Sequence, residues 1–298
     1  MYKDYLEYLH QDKPDALWHY TSFDAINNIV KGSGKLSFWV SEINFLNDHQ
    51  EYFHGFRVLN DHQEYFHGFR VLKDVFTRFK VENQGNPLIL QRLGSLEPFF
   101  QFTEAIGTNL SFAQDAGVFV LSLTSQKDLL SQWRAYTPNG HGVSIGISPN
   151  FESELNTKSL LYPVIYDDEF KYEYAIGLLT DYINKPISPN GDNQSAISDF
   201  ISKAKVACTL MKDAGFKEEC EWRYVVYGQE HVNIHLRSSD YFLIPYVRLN
   251  VNSSCVKELI IGPNPHSDLA KKSLELLLAK SNLSAVQVTK TPIPYRGN

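Results

Sequence analysis

Residues 17–40 read LWHYTSFDAINNIVKGSGKLSFWV, and this pattern decides what kind of fold to expect. Residues 17–20 are apolar and aromatic, as in a buried strand. Thr21 or Ser22 then offers a hydroxyl to cap a helix. Behind it Phe23, Ile26, Ile29 and Val30 fall at helical spacing. Gly32 and Gly34 stop that helix, and residues 35–40 resume as a strand. Helices and strands therefore alternate from the start, and the core must be built by both.

Outward from this stretch the same reading continues. Upstream, residues 1–16 carry Tyr5, Leu6 and Leu9 on one side of a short helix that ends at the Lys13-Pro14 step. Downstream, residues 73–116 read as helix with a Gly/Asn/Pro break at 84–87. Residues 118–124 (VFVLSLT) form a strong strand and 127–136 a short helix. A Pro-Asn-Gly turn then leads into a strand at 141–147 (HGVSIGI). A strand at 161–166 follows, and 168–215 is mainly helical around a loop at 186–193. Strands at 218–227, 245–249, 258–261 and 286–290 surround an amphipathic helix at 267–280. No stretch has linker composition, so one mixed α+β domain over residues 1–298, with helical insertions, is expected.

Residues 47–59 read NDHQEYFHGFRVL, and residues 60–72 repeat this without a difference. Repeat architectures drift in sequence and stack about three or more units, so two perfect copies point to a recent in-frame duplication. On a helix, 13 steps of about 100° turn the second copy by roughly 220°. Both copies cannot face one core, and residues 47–72 are expected to contain an insertion. Only one of the Asp48/Glu51 and Asp61/Glu64 sets can hold the native place.

The chain has 298 residues, 43% of them hydrophobic, enough for a substantial core. Lys and Arg number 28 against 34 Asp and Glu, a formal charge of −6, which argues against nucleic-acid binding through bulk positive charge. Cys208, Cys220 and Cys255 are odd in number and form no C-x-x-C pair, as expected of reduced thiols in the cytoplasm. Charges stand where a signal peptide needs an apolar centre, and no apolar run approaches the roughly 18–20 residues of a membrane helix. A soluble cytoplasmic protein without a membrane partner is expected.

Several residues could carry chemistry. His19 ends an otherwise apolar strand just before a helix cap. It reads either as a core histidine bonded to backbone or as a hydrogen-bond donor to a ligand at the mouth of the sheet. Glu219, Glu221 and Arg223 alternate, so a strand would put all three on one face and Cys220, Trp222 and Tyr224 on the other. Two carboxylates about 6–7 Å apart along a strand repel unless compensated. One of them is then a candidate base with a raised pKa, unless the strand is simply a solvated edge. Ser122 and Thr124 alternate in the 118–124 strand, with Trp133, Arg134 and Tyr136 close behind. These rings are either core or a platform for a flat ligand ring. Asn47, Asp48 and Glu51 read as a helix cap. No G-x-G-x-x-G, G-x-x-x-x-G-K-[ST], H-E-x-x-H or G-x-S-x-G occurs, which removes ordinary dinucleotide dehydrogenases, P-loop enzymes, zincins and α/β-hydrolases. No metal site is expected.

The stretches LWHYTSFDAINNIVKGSGKLSFWVSEINFLND, FVLSLTSQKDLLSQWRAYTPNGHGVSIGI, FKEECEWRYVV and TKTPIPYR, in this order, resemble the bacterial domain-of-unknown-function family 2971. The duplication departs from that pattern at its Asn-Asp element. The opening, an apolar strand with His-Tyr-Thr, a short helix and Gly before a strand, is similar to the start of ADP-ribosyltransferases. That resemblance implies a central, mainly antiparallel split sheet of the ADP-ribosyltransferase kind. It implies NAD as substrate, gripped by His19 with Tyr20 and Thr21 beside it. Ser122 and Thr124 would match the strand that supports nicotinamide and Tyr20, Trp133 or Tyr136 would supply the ring, with Arg223 near the cofactor, and Glu221 or Glu219 would be catalytic. It further implies transfer of ADP-ribose to a nucleic acid or protein by a toxin or anti-phage effector, to which a neutralising partner would belong. Two other readings stand beside it: a non-catalytic ligand sensor of the same fold, and a nuclease holding Mg²⁺ with Asp48, Glu51, Glu219 and Glu221.

Overall fold

The structure is a computed structural model that describes residues 3–30, 34–43, 45, 60–106, 117–137, 141–151, 158–186, 193–228, 233–239 and 242–294. Its centre is β3 (Phe119–Thr124), which every other feature of the sheet is arranged around. One edge of β3 pairs antiparallel with β6 (Glu221–Tyr227) along its whole length, from Phe119↔Val226 to Thr124↔Glu221. The other edge is shared. At its beginning Val120 pairs with Ser41 of β2 (Lys35–Glu42), and at its end Thr124 pairs with Trp18 of β1 (Leu17–Thr21). The sheet thus splits, with β1 and β2 leaving the same edge of β3 at opposite ends.

From β1 the sheet continues through β4 (Val143–Ile147) and β9 (Val256–Ile261) to β10 (Gln287–Lys290). From β2 it continues through β8 (Leu243–Asn252) to β7 (His235–Ser238), and β5 (Lys158–Pro163) lies outside β6. All named pairings are antiparallel except β9 with β10.

The two faces of the sheet are covered differently. On one, Leu17, Phe38, Leu121, Leu123, Trp222 and Tyr224 pack under α2 (Phe23–Ile29) and α9 (Ser267–Lys280), which contribute Ile26, Ile29, Leu274 and Leu278. Ser22 caps α2 by accepting the Ala25 N–H, satisfying one of the donors that a helix start leaves open. On the other face Val120 and Val225 pack under a helical layer. It consists of α3 (Asn60–Glu82), α4 (Pro87–Gly94), α5 (Glu97–Ile106), α7 (Asp168–Asn184) and α8 (Gln194–Leu210). Further along that face, α6 (Leu130–Tyr136) sets Trp133 against Trp18 and Tyr20.

The second copy of the repeat, residues 60–72, forms the start of α3; the first copy, with Asp48 and Glu51, lies outside the described residues. Phe69 and Leu72 of that copy bury on one stripe with Val75 and Phe76, which lie beyond the repeat. Only the copy contiguous with Val75 and Phe76 can share their stripe. Gly68 fits the same place: a Cβ there would lie 2.6 Å from the Cys208 Cα of α8. On α7 the fully buried Lys171 donates to His67 Nε2 at 3.2 Å and to Asp168 at 2.8 Å.

Several boundaries differ from the sequence reading. The N-terminal helix α1 is only Tyr5–Leu9, and the strand expected at 161–166 runs Lys158–Pro163. Strand β8 extends well beyond 245–249, and the short, mostly exposed β7 gives no alternating signal. The largest difference bears on function. Residues 218–227 are not one strand: Ala214–Glu219 is a 3-10 turn, and β6 starts only at Glu221.

Candidate functional site

The register decides which predicted residues meet. Cross-strand partners share a face, so Trp18, Thr124 and Glu221, joined by Trp18↔Thr124 and Thr124↔Glu221, lie on the helical-layer face. Ser122 and Arg223 are partners on that face too. His19 follows Trp18 and points the opposite way. The grouping of His19 with Glu221 in one site is therefore corrected: the sheet separates them.

His19 sits where β1 and β2 part. Its ring meets Phe38 edge-on at 5.6 Å, and its Nδ1 lies 3.1 Å from the Ser122 carbonyl. A carbonyl only accepts, so Nδ1 carries the proton. Burial lowers the pKa, and the carbonyl bond only partly opposes this. The neutral ring therefore presents Nε2 as an acceptor, not as the donor expected from the sequence. Tyr20 and Thr21 are both buried. The Tyr20 hydroxyl donates to the Gln126 carbonyl and accepts from the Leu129 N–H, both at 3.0 Å.

Across the sheet a charged cluster is buried between β6 and the end of α8. Arg223 Nε and Nη2 clamp the two Glu221 oxygens at 2.7 and 3.1 Å. Arg223 Nη1 donates at 2.6 Å to the Thr209 carbonyl, one of the last carbonyls of α8, which helix geometry leaves open. Lys212, beyond the end of α8, reaches Glu221 at 3.1 Å and Glu219 at 2.6 Å. Two carboxylates and two cations cancel, so the cluster is formally neutral. The Glu221 N–H donates to the Tyr166 hydroxyl at 3.1 Å.

This compensation reverses the expectation of a raised carboxyl pKa at Glu221. Burial alone pushes it up, but the charges of Arg223 and Lys212, with hydrogen bonds from Arg223 and Ser122, hold it at about 2. These partners favour the ionised form of Glu221.

Glu219 is different. It does not lie on the strand, because Cys220 takes a left-handed conformation (φ 44°) between the 3-10 turn and β6. Cys220 consequently does not join Trp222 and Tyr224 on a strand face. The Thr124 hydroxyl donates to the Glu219 carbonyl at 2.6 Å and fixes this corner. The Glu219 carboxylate, 18% exposed, reaches a cleft of about 470 Å³ between α6 and the 3-10 turn. Ser131, Gln132, Arg134, Phe216 and Glu218 also line it. From α6 the Tyr136 hydroxyl approaches the Glu219 oxygens at 3.3 and 3.4 Å.

Of the rings offered as a platform, Tyr136 is exposed, with its hydroxyl beside Glu219, whereas Tyr20 and Trp133 are core. They pack edge-on at 4.6 Å, and Trp133 Nε1 donates to Asp128 at 2.6 Å. Gly262 makes room for that indole, since a Cβ there would lie 2.6 Å from it.

Lys212 is the residue that sequence reasoning missed. In MKDAGFKEECEWR nothing separates it from a surface lysine; only the turn between α8 and β6 brings it between the two glutamates. Among the described residues no group of three or more His, Cys, Asp or Glu side chains could hold a metal ion. A second groove, about 670 Å³ along α9 and β10, is lined by none of the predicted residues.

Residues 132–224 match the family described as Protein of unknown function (DUF2971). The family named in the sequence reading is thus matched over this segment. The DUF2971 segment runs from α6 to β6 and contains Tyr136, Lys212, Glu219, Glu221 and Arg223, whereas His19, Ser122 and Thr124 precede it. No curated protein and no solved structure matches the chain. No described helix is long and apolar enough to cross a membrane.

Proposed function

We propose that the chain binds NAD in the cleft beside Glu219 and displaces nicotinamide from it, passing ADP-ribose to a macromolecular acceptor, as an ADP-ribosyltransferase-like effector would. The observation that carries this reading is the position of one carboxylate. Glu219 stands on the wall of the cleft between Lys212 and Tyr136, beside the Phe216 ring and the exposed Arg134. Breaking the glycosidic bond builds positive charge on the ribose, and a fixed carboxylate stabilises it. Arg134 matches a phosphate and Phe216 a planar base. The split between β1 and β2 around β3 agrees with the sheet implied by the resemblance.

The test is nicotinamide release from NAD, comparing the wild type with Glu219→Gln. Loss of release in the variant, with the fold intact by circular dichroism, supports the reading; release unchanged in the variant overturns it.

A second reading, binding of the same ligand without turnover, is favoured by a specific observation. His19, the residue expected to grip NAD, lies on the opposite face from Glu221, and Glu221 is already clamped by Arg223 and Lys212. Saturable NAD binding with no nicotinamide released marks this case. The nuclease reading draws no support: Lys212 and Arg223 already meet the two described carboxylates in its set.

A further inference from the structure

We propose that Lys212 is the positioning residue of the cleft, a buried ammonium that sets where the Glu219 carboxylate points by tying it to the immobile Glu221. The inference rests on the reading of the cleft given above, and it names a residue that the reading itself does not require.

Lys212 has the features of a fixed post. It is 2% exposed, and its backbone N–H donates to the Ile165 carbonyl at 3.1 Å. Its ammonium stands 4.9 Å from the centre of the Phe216 ring, which lines the cleft. On one side it meets Glu221, which Arg223 grips with two hydrogen bonds. On the other side it meets Glu219 at 2.6 Å, the shorter of its two carboxylate contacts. The Tyr136 hydroxyl faces Glu219 from α6, so one carboxylate is met by groups from two elements.

Remove the ammonium and the balance fails. Glu219 and Glu221 then face each other with one cation fewer to offset two negative charges, and like charges at close range disfavour joint ionisation. Glu219 either takes a proton or swings away. In both cases an ionised carboxylate no longer stands at the cleft wall, while the residues lining that wall are unchanged. Arg223 already grips Glu221 and the end of α8.

The experiment compares Lys212→Met and Lys212→Arg with the wild type by two readouts. The first is the side-chain carboxyl titration of Glu219 by carbon-detected NMR, assigned through Glu219→Gln; it needs no ligand. Among the described residues the titratable groups facing Glu219 include Lys212, Tyr136, Tyr166 and Glu221, and Arg134 and Glu218 line the same cleft. Lys212→Met should move the Glu219 titration upward by about one pH unit or more, and Lys212→Arg, which keeps the charge, should leave it near the wild type. The second readout is nicotinamide release against pH. Lys212→Met should lower kcat by about 10²-fold with KM within about threefold, the pattern of a lost electrostatic contact. The acid limb of its pH profile should move upward as the titration does.

An unchanged Glu219 titration in Lys212→Met overturns the positioning role whatever the catalytic result. If the titration moves but the wild type neither binds nor cleaves NAD, the positioning role stands and the NAD reading falls. Should Lys212→Met not fold, the same titration in Lys212→Arg and in Glu221→Gln decides. In Glu221→Gln the ammonium no longer shares its charge between two carboxylates, and the titration should move downward; no movement there overturns the role.

Discussion

The two faces of the sheet at β3 handle a polar side chain in opposite ways. On the α2 and α9 side His19 stays neutral, bonded through one nitrogen to one backbone carbonyl amid apolar neighbours. On the α7 and α8 side Glu221 stays charged, at the cost of two buried cations, a clamped carbonyl and the Ser122 hydroxyl. Ser122 serves both faces: its carbonyl lies against His19 and its hydroxyl bonds Glu221. The contrast shows that a half-buried histidine can shed its charge cheaply, whereas a buried carboxylate that keeps its charge must recruit partners from elsewhere in the chain.

The largest expected effect breaks the charged side. Arg223→Met leaves Glu221 with Lys212 as its one cationic partner and uncaps the Thr209 carbonyl. Removing one partner of a buried pair costs about 3–5 kcal/mol, read as a fall in the urea midpoint. His19→Phe on the other face should cost about 1 kcal/mol, the value of one hydrogen bond. Equal losses would erase the distinction between the faces.

Acid separates them further. The folded pKa of Glu221 is depressed, so its contribution is complete above the usual carboxylate range near pH 4.5 and is lost as pH falls towards about 2. His19 has the opposite charge type and a lowered pKa. The unfolded chain therefore takes up its proton first, and stability drains away as pH falls below about 6.5. Denaturant midpoints measured against pH should show a smaller slope just below pH 6.5 in His19→Phe, with His67, whose pKa burial also lowers, keeping the remainder, and an unchanged slope in Ser122→Ala.

Ser122→Ala sharpens the comparison with a smaller step. It removes the hydroxyl to Glu221 and leaves the carbonyl to His19, so a cost of about 1 kcal/mol belongs to one face only.

The smallest effect is expected far from β3. Deleting residues 47–59 gives the same sequence as deleting 60–72, and α3 keeps Gly68, Phe69 and Leu72 in register with Val75 and Phe76. Its unfolding free energy from urea titration should therefore stay within about 1 kcal/mol of the parent's. A larger loss would mean that residues 47–59 contribute to the core.

Much of this was legible along the chain. The strands at β1 to β4, the cap of α2 and the helix at α9 follow from local periodicity and capping, which need no distant partner. What stayed hidden depends on distant partners. The face of His19 relative to Glu221 is fixed by Trp18↔Thr124, a pairing of residues far apart in sequence. The alternation in EECEWRY imitates a strand from its first residue, but the left-handed Cys220 takes Glu219 off it. Trp133 and Tyr20 have the composition of a ligand platform, and only packing shows them facing each other. Lys212 carries no local signal because its role comes from where α8 ends.

The most direct measurement is nicotinamide release from NAD by the full chain, with Glu219→Gln and His19→Phe assayed side by side. Release abolished in Glu219→Gln and retained within about threefold in His19→Phe is the expected result, since Glu219 lines the cleft and His19 lies on the other face. Release that requires His19 and survives loss of the Glu219 carboxylate would contradict it, and would put the reacting ligand where β1 and β2 part.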